Sequence, residues 1–120
     1  SRTIFTGLRL DAEKLHASFD IFTLLSVKGY EMFPNAIIEA MTYGNAFVAT
    51  DTQGVPETAK NGEGIICNYG ELKEYESAFI YLLNNPKIRD EMGKRGIDSV
   101  RSSFNIIEVV NKIEKAYGDL

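Results

Sequence analysis

Short apolar runs, each bounded by turn residues, constrain the fold of this chain more than any other feature. They are rich in Ile, Phe, Val and Thr and mostly do not alternate with polar residues, which is typical of strands covered on both faces, as in a parallel sheet. Helical stretches lie between them, and this strand–helix–strand order predicts right-handed crossovers and an α/β layered fold. The predicted strands are Thr3–Thr6, Ile21–Leu25, Ala46–Thr50 and Gly64–Cys67.

Helical spacing dominates the last third of the chain, where no further strand is predicted. Pro86 fits the first turn of a helix, and Ser103 or Asn105 could cap the last one. Gly44 is a plausible terminator of the helix between the middle strands. The predicted helices are Ala12–Ser18, Asn35–Tyr43, Leu72–Leu83, Pro86 to about Arg101, and a C-terminal helix with Ile106, Val109, Val110, Ile113 and Tyr117 at helical spacing.

Composition excludes several classes of protein. The net charge of −4, without a basic stripe, argues against a nucleic-acid partner. Cys67 is the single cysteine, so no disulfide can form within the chain, and a reducing compartment is indicated. The sequence contains no run of 18 apolar residues, so no membrane-spanning helix is predicted. These features predict a cytoplasmic protein, and attachment at the inner face of the membrane through parts outside this chain stays open. His16, in a polar stretch, is expected at the surface.

The segment from Gly29 to Met41 carries the most chemistry. It joins two predicted strands, so its helix should start at the carboxyl edge of the sheet, where α/β folds bind ligands. Free backbone N–H groups after Pro34 would attract a phosphate. Glu31 and Glu39 flank that point, and a carboxylate can accept two neighbouring hydroxyls. A nucleoside-diphosphate sugar fits this layout. Ordinary surface glutamates explain the spacing equally well.

The segment Glu31-x-Phe-Pro-Asn-x-x-x-Glu39-Ala-Met-x-x-Gly44 resembles the donor site of the large retaining glycosyltransferase family known as group 1 or family 4. Further similar elements cover nearly the whole chain. They are Phe5-Thr6-Gly7, Phe19-Asp20-Ile21-Phe22 with Ser26, Phe47-Val48-Ala49-Thr50-Asp51, Gly54-Val55-Pro56-Glu57, Gly62-x-Gly64-Ile65-Ile66, Asn85-Pro86, Arg89, Met92-Gly93 and Phe104. The loop before Glu31 is longer than usual in the family, because Val27-Lys28-Gly29-Tyr30 follow Ser26.

The resemblance implies a GT-B enzyme that moves a sugar from a nucleoside-diphosphate sugar to a glycan or lipid-linked acceptor with anomeric retention. It implies a Rossmann-like parallel sheet with helices on both faces, and residues 1–120 as a single partial domain that lacks the N-terminal acceptor domain. No cofactor and no metal are expected, and no Asp-x-Asp pair occurs. The implied catalytic residue is Glu31. The implied donor-binding residues are Glu31, Met32, Phe33, Pro34, Asn35 and Glu39. Base or phosphate contacts are also expected from Gly7 and Leu8, and from Lys28 because of its position in the longer loop.

Two other functions remain as alternatives. A non-catalytic nucleotide-sugar-binding module would share every donor residue. A glycoside hydrolase using Glu31 and Glu39 ranks well behind, because a helix N-terminus lowers the pKa of both acids whereas a hydrolase raises one. If two sheet strands are missing, the uncovered edge predicts either a longer polypeptide or self-association. In either case this chain alone should not transfer sugar.

Overall fold

The computed structural model describes residues 3–30 and 32–118, and in them a parallel sheet carries helices on both faces. This confirms the predicted α/β class, with a helical last third. The strands are β1 (Ile21–Leu24), β2 (Ala46–Thr50) and β3 (Gly64–Cys67); the helices are α1 (Ala12–Leu15), α2 (Asn35–Thr42), α3 (Leu72–Asn84), α4 (Pro86–Ser103) and α5 (Ile106–Gly118); short 3₁₀ segments are His16–Ser18 and Pro56–Ala59.

Strand β2 lies at the centre of the sheet, parallel to β1 on one side and to β3 on the other. Its residues are all buried. Ala46 and Val48 belong to the core under α3 and α4, whereas Phe47 and Ala49 belong to the core that contains α2. Burial on both faces explains why this run of sequence is continuously apolar instead of alternating.

The predicted strand at Thr3–Thr6 is wrong. Residues 3–6 adopt no strand conformation, and the side chains of Ile4 and Phe5 are 82% and 94% exposed. A strand requires a neighbour for its backbone hydrogen bonds. Rossmann folds typically have the strand order 3-2-1-4-5-6. In that order Thr3–Thr6 corresponds to the third strand, which pairs with the second. The described residues contain no strand that corresponds to the second or the first.

His16 is buried rather than at the surface, with 6% exposure. Its ring centroid lies 5.3 Å from that of Phe22, 5.4 Å from Phe19 and 5.8 Å from Tyr43. The Asn45 side chain also donates a hydrogen bond to the His16 carbonyl, at 2.9 Å. The predicted helical turn is confirmed, but it packs its histidine into this aromatic cluster between β1 and the end of α2.

Helices α2 and α4 cross at van der Waals contact of their backbones. A Cβ atom at Gly93 of α4 would lie 2.0 Å from the carbonyl oxygen of Gly44, which follows α2. The absence of a side chain at Gly93 therefore sets how closely the two helices approach. This contact helps to fix the position of α2 relative to α4. Because α2 is one continuous helix, its start at the carboxyl edge of the sheet is fixed as well.

A buried carboxylate joins the turn before β3 to α4. Glu63 is 2% exposed and accepts hydrogen bonds from the Asn61 backbone N–H (2.8 Å), the Asn61 amide (3.1 Å) and the Ser99 hydroxyl. These three donors satisfy its oxygens. The Gly62–Gly64 segment thus forms a braced turn, and its acid faces inward.

Helix α5 begins where Asn105 caps it, since the Asn105 side-chain oxygen accepts the Ile107 N–H at 2.9 Å. This confirms one of the two predicted caps. No residue of α5 is buried. None of the described helices is long and apolar enough to cross a membrane.

Candidate functional site

A cavity of about 430 Å³ opens at the carboxyl edge of the sheet, between the loop after β1 and the loop after β2. Parallel strands bring both loops to the same edge, which is where open α/β sheets bind ligands. The cavity is lined by Lys28, Gly29, Asp51, Thr52, Gln53, Gly54, Pro56 and Glu57.

Gly54 brings the two loops into direct contact. Its φ of +76° lies in the left-handed region, and a Cβ atom there would meet the Met32 carbonyl oxygen at 2.0 Å. Glycine is therefore required both by the conformation and by the space. The Val55 N–H donates to the Thr52 carbonyl at 3.1 Å and closes this turn. As a result, the position of the loop after β1 depends on the loop after β2.

Helix α2 starts beside the cavity without a side-chain cap. Pro34 is buried and occupies the N-cap position, one residue earlier than the first helical turn. The N–H of Asn35 donates to Phe33, and those of Ile37 and Ile38 donate to the Pro34 carbonyl. Among the first amides of α2, the Ala36 N–H then has no acceptor within residues 3–30 and 32–118. The helix start thus offers one free donor and its dipole to an anion, fewer free donors than the sequence suggests.

Glu39 lies on α2 about 6 Å along the helix axis from Asn35, one turn further. Its side chain is exposed and takes part in no hydrogen bond or ion pair with another described residue. The carboxylate is therefore free to accept hydrogen bonds from a ligand. It does not line the cavity.

The other predicted donor residues surround the start of α2. Met32 and Phe33 are 80% and 47% exposed, and the Phe33 ring lies 6.0 Å from that of Phe104. Asn35 is exposed at the first position of the helix. Lys28 lines the cavity, and its predicted contact with a phosphate stays a prediction. Glu31 lies outside the described residues, so its predicted catalytic and donor-binding roles stay predictions.

Neither Gly7 nor Leu8 lines the cavity. Leu8 is 96% exposed, and a Cβ atom at Gly7 would have nothing within 4 Å. Both belong to the segment that has no neighbouring strand among the described residues. No strand pairing therefore fixes their position. Their contacts with a base or phosphate remain predictions.

Cys67 is not a nucleophile in this site. It is buried at the end of β3, and burial, with a smaller contribution from the charge of Glu74, raises the pKa of its thiol. A raised pKa keeps the thiol protonated and unreactive. The pKa of the Glu74 carboxyl is lowered by hydrogen bonds from the Asn68 side chain and backbone N–H. Within residues 3–30 and 32–118, no three His, Cys, Asp or Glu side chains form a group that could hold a metal ion.

Thr52, Gln53 and the side of Glu57 that faces the cavity were not selected from the sequence as ligand contacts. Thr52 carries no sequence signal except its position two residues after a strand. The proximity of these residues to Lys28 depends on the Gly54 contact, which only the folded backbone reveals.

Comparison with known proteins decides the family. Residues 2–99 match the family described as glycosyl transferases group 1. The chain belongs to the group 1 glycosyl transferases. Within this family, it is 31% identical over 120 residues, 99% of its length, to the N-acetyl-alpha-D-glucosaminyl L-malate synthase of Bacillus anthracis.

Two further relatives of this group 1 glycosyl transferase act on lipid-linked sugars, according to their names. The N,N'-diacetylbacillosaminyl-diphospho-undecaprenol alpha-1,3-N-acetylgalactosaminyltransferase of Campylobacter jejuni is 31% identical over 86% of the chain. The UDP-Gal:alpha-D-GlcNAc-diphosphoundecaprenol alpha-1,3-galactosyltransferase of Escherichia coli is 26% identical over 99% of it. The chain spans 31%, 27% and 30% of the lengths of the three relatives.

Proposed function

We propose that this chain is the donor-binding part of an enzyme that transfers a sugar from a nucleoside-diphosphate sugar to an acceptor, with retention of anomeric configuration. The observation that carries the proposal is the uncapped start of α2, with its free Ala36 N–H, beside a cavity at the carboxyl edge of a parallel sheet. Family membership supports transferase chemistry. The galactosyltransferase relative is named for a UDP-linked donor, which makes UDP sugars the first ligands to test.

We assign three parts of the donor, the diphosphate, the ribose and the transferred sugar, to different groups around α2. The diphosphate belongs at the start of α2, where the free N–H and the helix dipole attract an anion and the Lys28 ammonium adds a positive charge. Glu39, one turn along the helix, is free to accept both hydroxyls of a ribose. Glu31 is assigned to the transferred sugar.

The same groups assist bond cleavage. When the glycosidic bond to the diphosphate breaks, negative charge develops on the leaving phosphate and positive charge on the anomeric carbon. Preorganised donors at the start of α2, together with Lys28, stabilise the leaving group. A carboxylate near the sugar stabilises the developing positive charge, and we assign this role to Glu31.

We infer that the acceptor is bound by residues outside this chain, because the chain spans less than a third of each relative. Two of the relatives are named for undecaprenol-diphosphate-linked sugars. A lipid-linked acceptor would place the enzyme at the inner face of a membrane, as a peripheral protein.

Replacing Glu39 with Ala tests the proposed donor site. Loss of a hydrogen bond to a charged acceptor costs about 1.5–3 kcal/mol, so affinity for UDP should fall roughly tenfold to a hundredfold. Glu39→Gln should have a smaller effect. The measurement is calorimetric titration of the protein encoded by the complete open reading frame, with Glu76→Ala on the exposed face of α3 as the matched control. Unchanged affinity of Glu39→Ala for UDP would remove the ribose assignment.

The two acids should differ in which ligand they affect. Glu31→Ala should weaken binding of a UDP sugar more than binding of UDP, because Glu31 is assigned to the sugar. Glu39→Ala should weaken both by similar factors, because the ribose is common to both ligands. Competition titrations with the two ligands on each variant measure this difference. If Glu31→Ala affects both ligands equally, its role lies in the structure of the loop.

A further inference from the structure

The ring of Phe104 connects the end of α4 to the start of α2. Phe104 directly follows α4, and its N–H donates to the Val100 carbonyl at 3.2 Å. Its half-buried side chain packs against the core cluster that contains Ile37 and Met41 of α2. Its ring centroid also lies 6.0 Å from that of Phe33, with the ring planes tilted by 59°. Rings at this distance and tilt attract each other, so Phe104 contacts the segment before α2 as well as the core beneath it.

Phe33 in turn defines where α2 begins. Its carbonyl accepts the Asn35 N–H at 3.0 Å, and no side chain caps the helix. The Phe33 side chain is exposed, so its own surroundings hold it only in part. Two contacts with distant residues supply the rest in the described part of the chain. They are the close approach of Gly54 to the preceding Met32 carbonyl and the ring of Phe104.

We propose that Phe104 is a positioning residue of the donor site. Its ring holds Phe33, and through the Phe33 carbonyl it holds the start of α2 in the geometry that binds the diphosphate. The inference rests on the proposed donor-binding function and adds a residue that does not line the cavity between the loops. Asn105, the next residue, caps α5. The same ring contact therefore ties the junction of α4 and α5 to the donor site.

Replacing Phe104 with Leu removes the ring and keeps an apolar side chain against the core. In the complete protein, affinity for UDP should fall about threefold to tenfold, as for loss of one aromatic pair. Phe104→Tyr keeps the ring and should bind UDP within about twofold of the wild type. Val100→Ala is the matched control, because Val100 packs against the same core cluster one turn earlier on α4. It should lower the Tm and leave the affinity for UDP unchanged.

A double-mutant cycle with Phe33→Leu separates action through Phe33 from a general structural role. Titration calorimetry should show that Phe33→Leu weakens UDP binding, and that adding Phe104→Leu to it changes the affinity by less than about twofold. Independent losses that multiply in the double variant would overturn the inference. So would unchanged affinity in Phe33→Leu or in folded Phe104→Leu protein, or equal weakening by Val100→Ala. Failure of the wild type to bind UDP would instead contradict the proposed function and this inference with it.

Discussion

Replacing Gly54 with Ala should abolish measurable binding of UDP and of UDP sugars to the complete protein. The left-handed φ of +76° costs a non-glycine residue about 1–2 kcal/mol. The new Cβ atom would also lie 2.0 Å from the Met32 carbonyl oxygen, so the loops after β1 and β2 must separate. That separation moves Lys28 and the start of α2 relative to the cavity wall, and misplacement of about 1 Å is enough to cost a hundredfold in function.

Gly70→Ala is the matched control for the backbone conformation of Gly54. Gly70 has a φ of +86°, but a Cβ atom there would have nothing within 4 Å. This variant should lose stability through strain alone and keep its affinity for UDP. Titration calorimetry on both variants, with thermal unfolding in parallel, makes the comparison. Wild-type affinity in a folded Gly54→Ala protein would show that the contact between the loops does not position the site.

Replacing Gly93 with Ala should strongly destabilise the fold at a point away from the site. Overpacking typically costs about 1–3 kcal/mol, occasionally more. Here the obstacle is backbone rather than a movable side chain, because the Cβ atom would lie 2.0 Å from the Gly44 carbonyl oxygen. The better helix propensity of Ala offsets only about 1 kcal/mol. Because backbone cannot move aside as a side chain can, we expect a cost at the upper end of this range, and a net fall in the free energy of unfolding of about 2 kcal/mol.

Urea unfolding of the complete protein measures that loss, with Gly118→Ala as the control. Gly118 ends α5, and a Cβ atom there would have nothing within 4 Å. The control should therefore be neutral. Gly93→Ala protein that stays folded should bind UDP with reduced affinity only if the crossing of α2 and α4 also sets the position of the helix start. Wild-type stability in Gly93→Ala would contradict the close crossing of these two helices.

Much of this fold can be predicted from the sequence because its signals are local. The continuous apolar run of β2 reflects burial on both faces, and Pro86 and Asn105 mark helix starts through the chemistry of the backbone. The Thr3–Thr6 segment has strand composition but lacks a neighbour. His16 has polar neighbours in sequence, although it packs among aromatic rings in space. Both errors arise because tertiary contacts override local composition.

In the candidate site too, some residues can be selected from the sequence and others cannot. Glu39 and Lys28 can be selected from the sequence because they precede or lie on a helix that follows a strand, and their roles stay predictions. Thr52 cannot, since its place in the cavity wall exists only once the two loops meet. The number of free amides at the start of α2 likewise depends on bonds to Phe33 and Pro34, which no spacing in the sequence predicts.

A crystal structure of the complete protein with bound UDP tests the donor site most directly. We expect the diphosphate at the start of α2, with a phosphate oxygen accepting the Ala36 N–H, and both ribose hydroxyls hydrogen-bonded to the Glu39 carboxylate. The Lys28 side chain should face the phosphates. UDP bound away from the carboxyl edge of the sheet, or bound there without contact to Glu39, would contradict the proposed donor site.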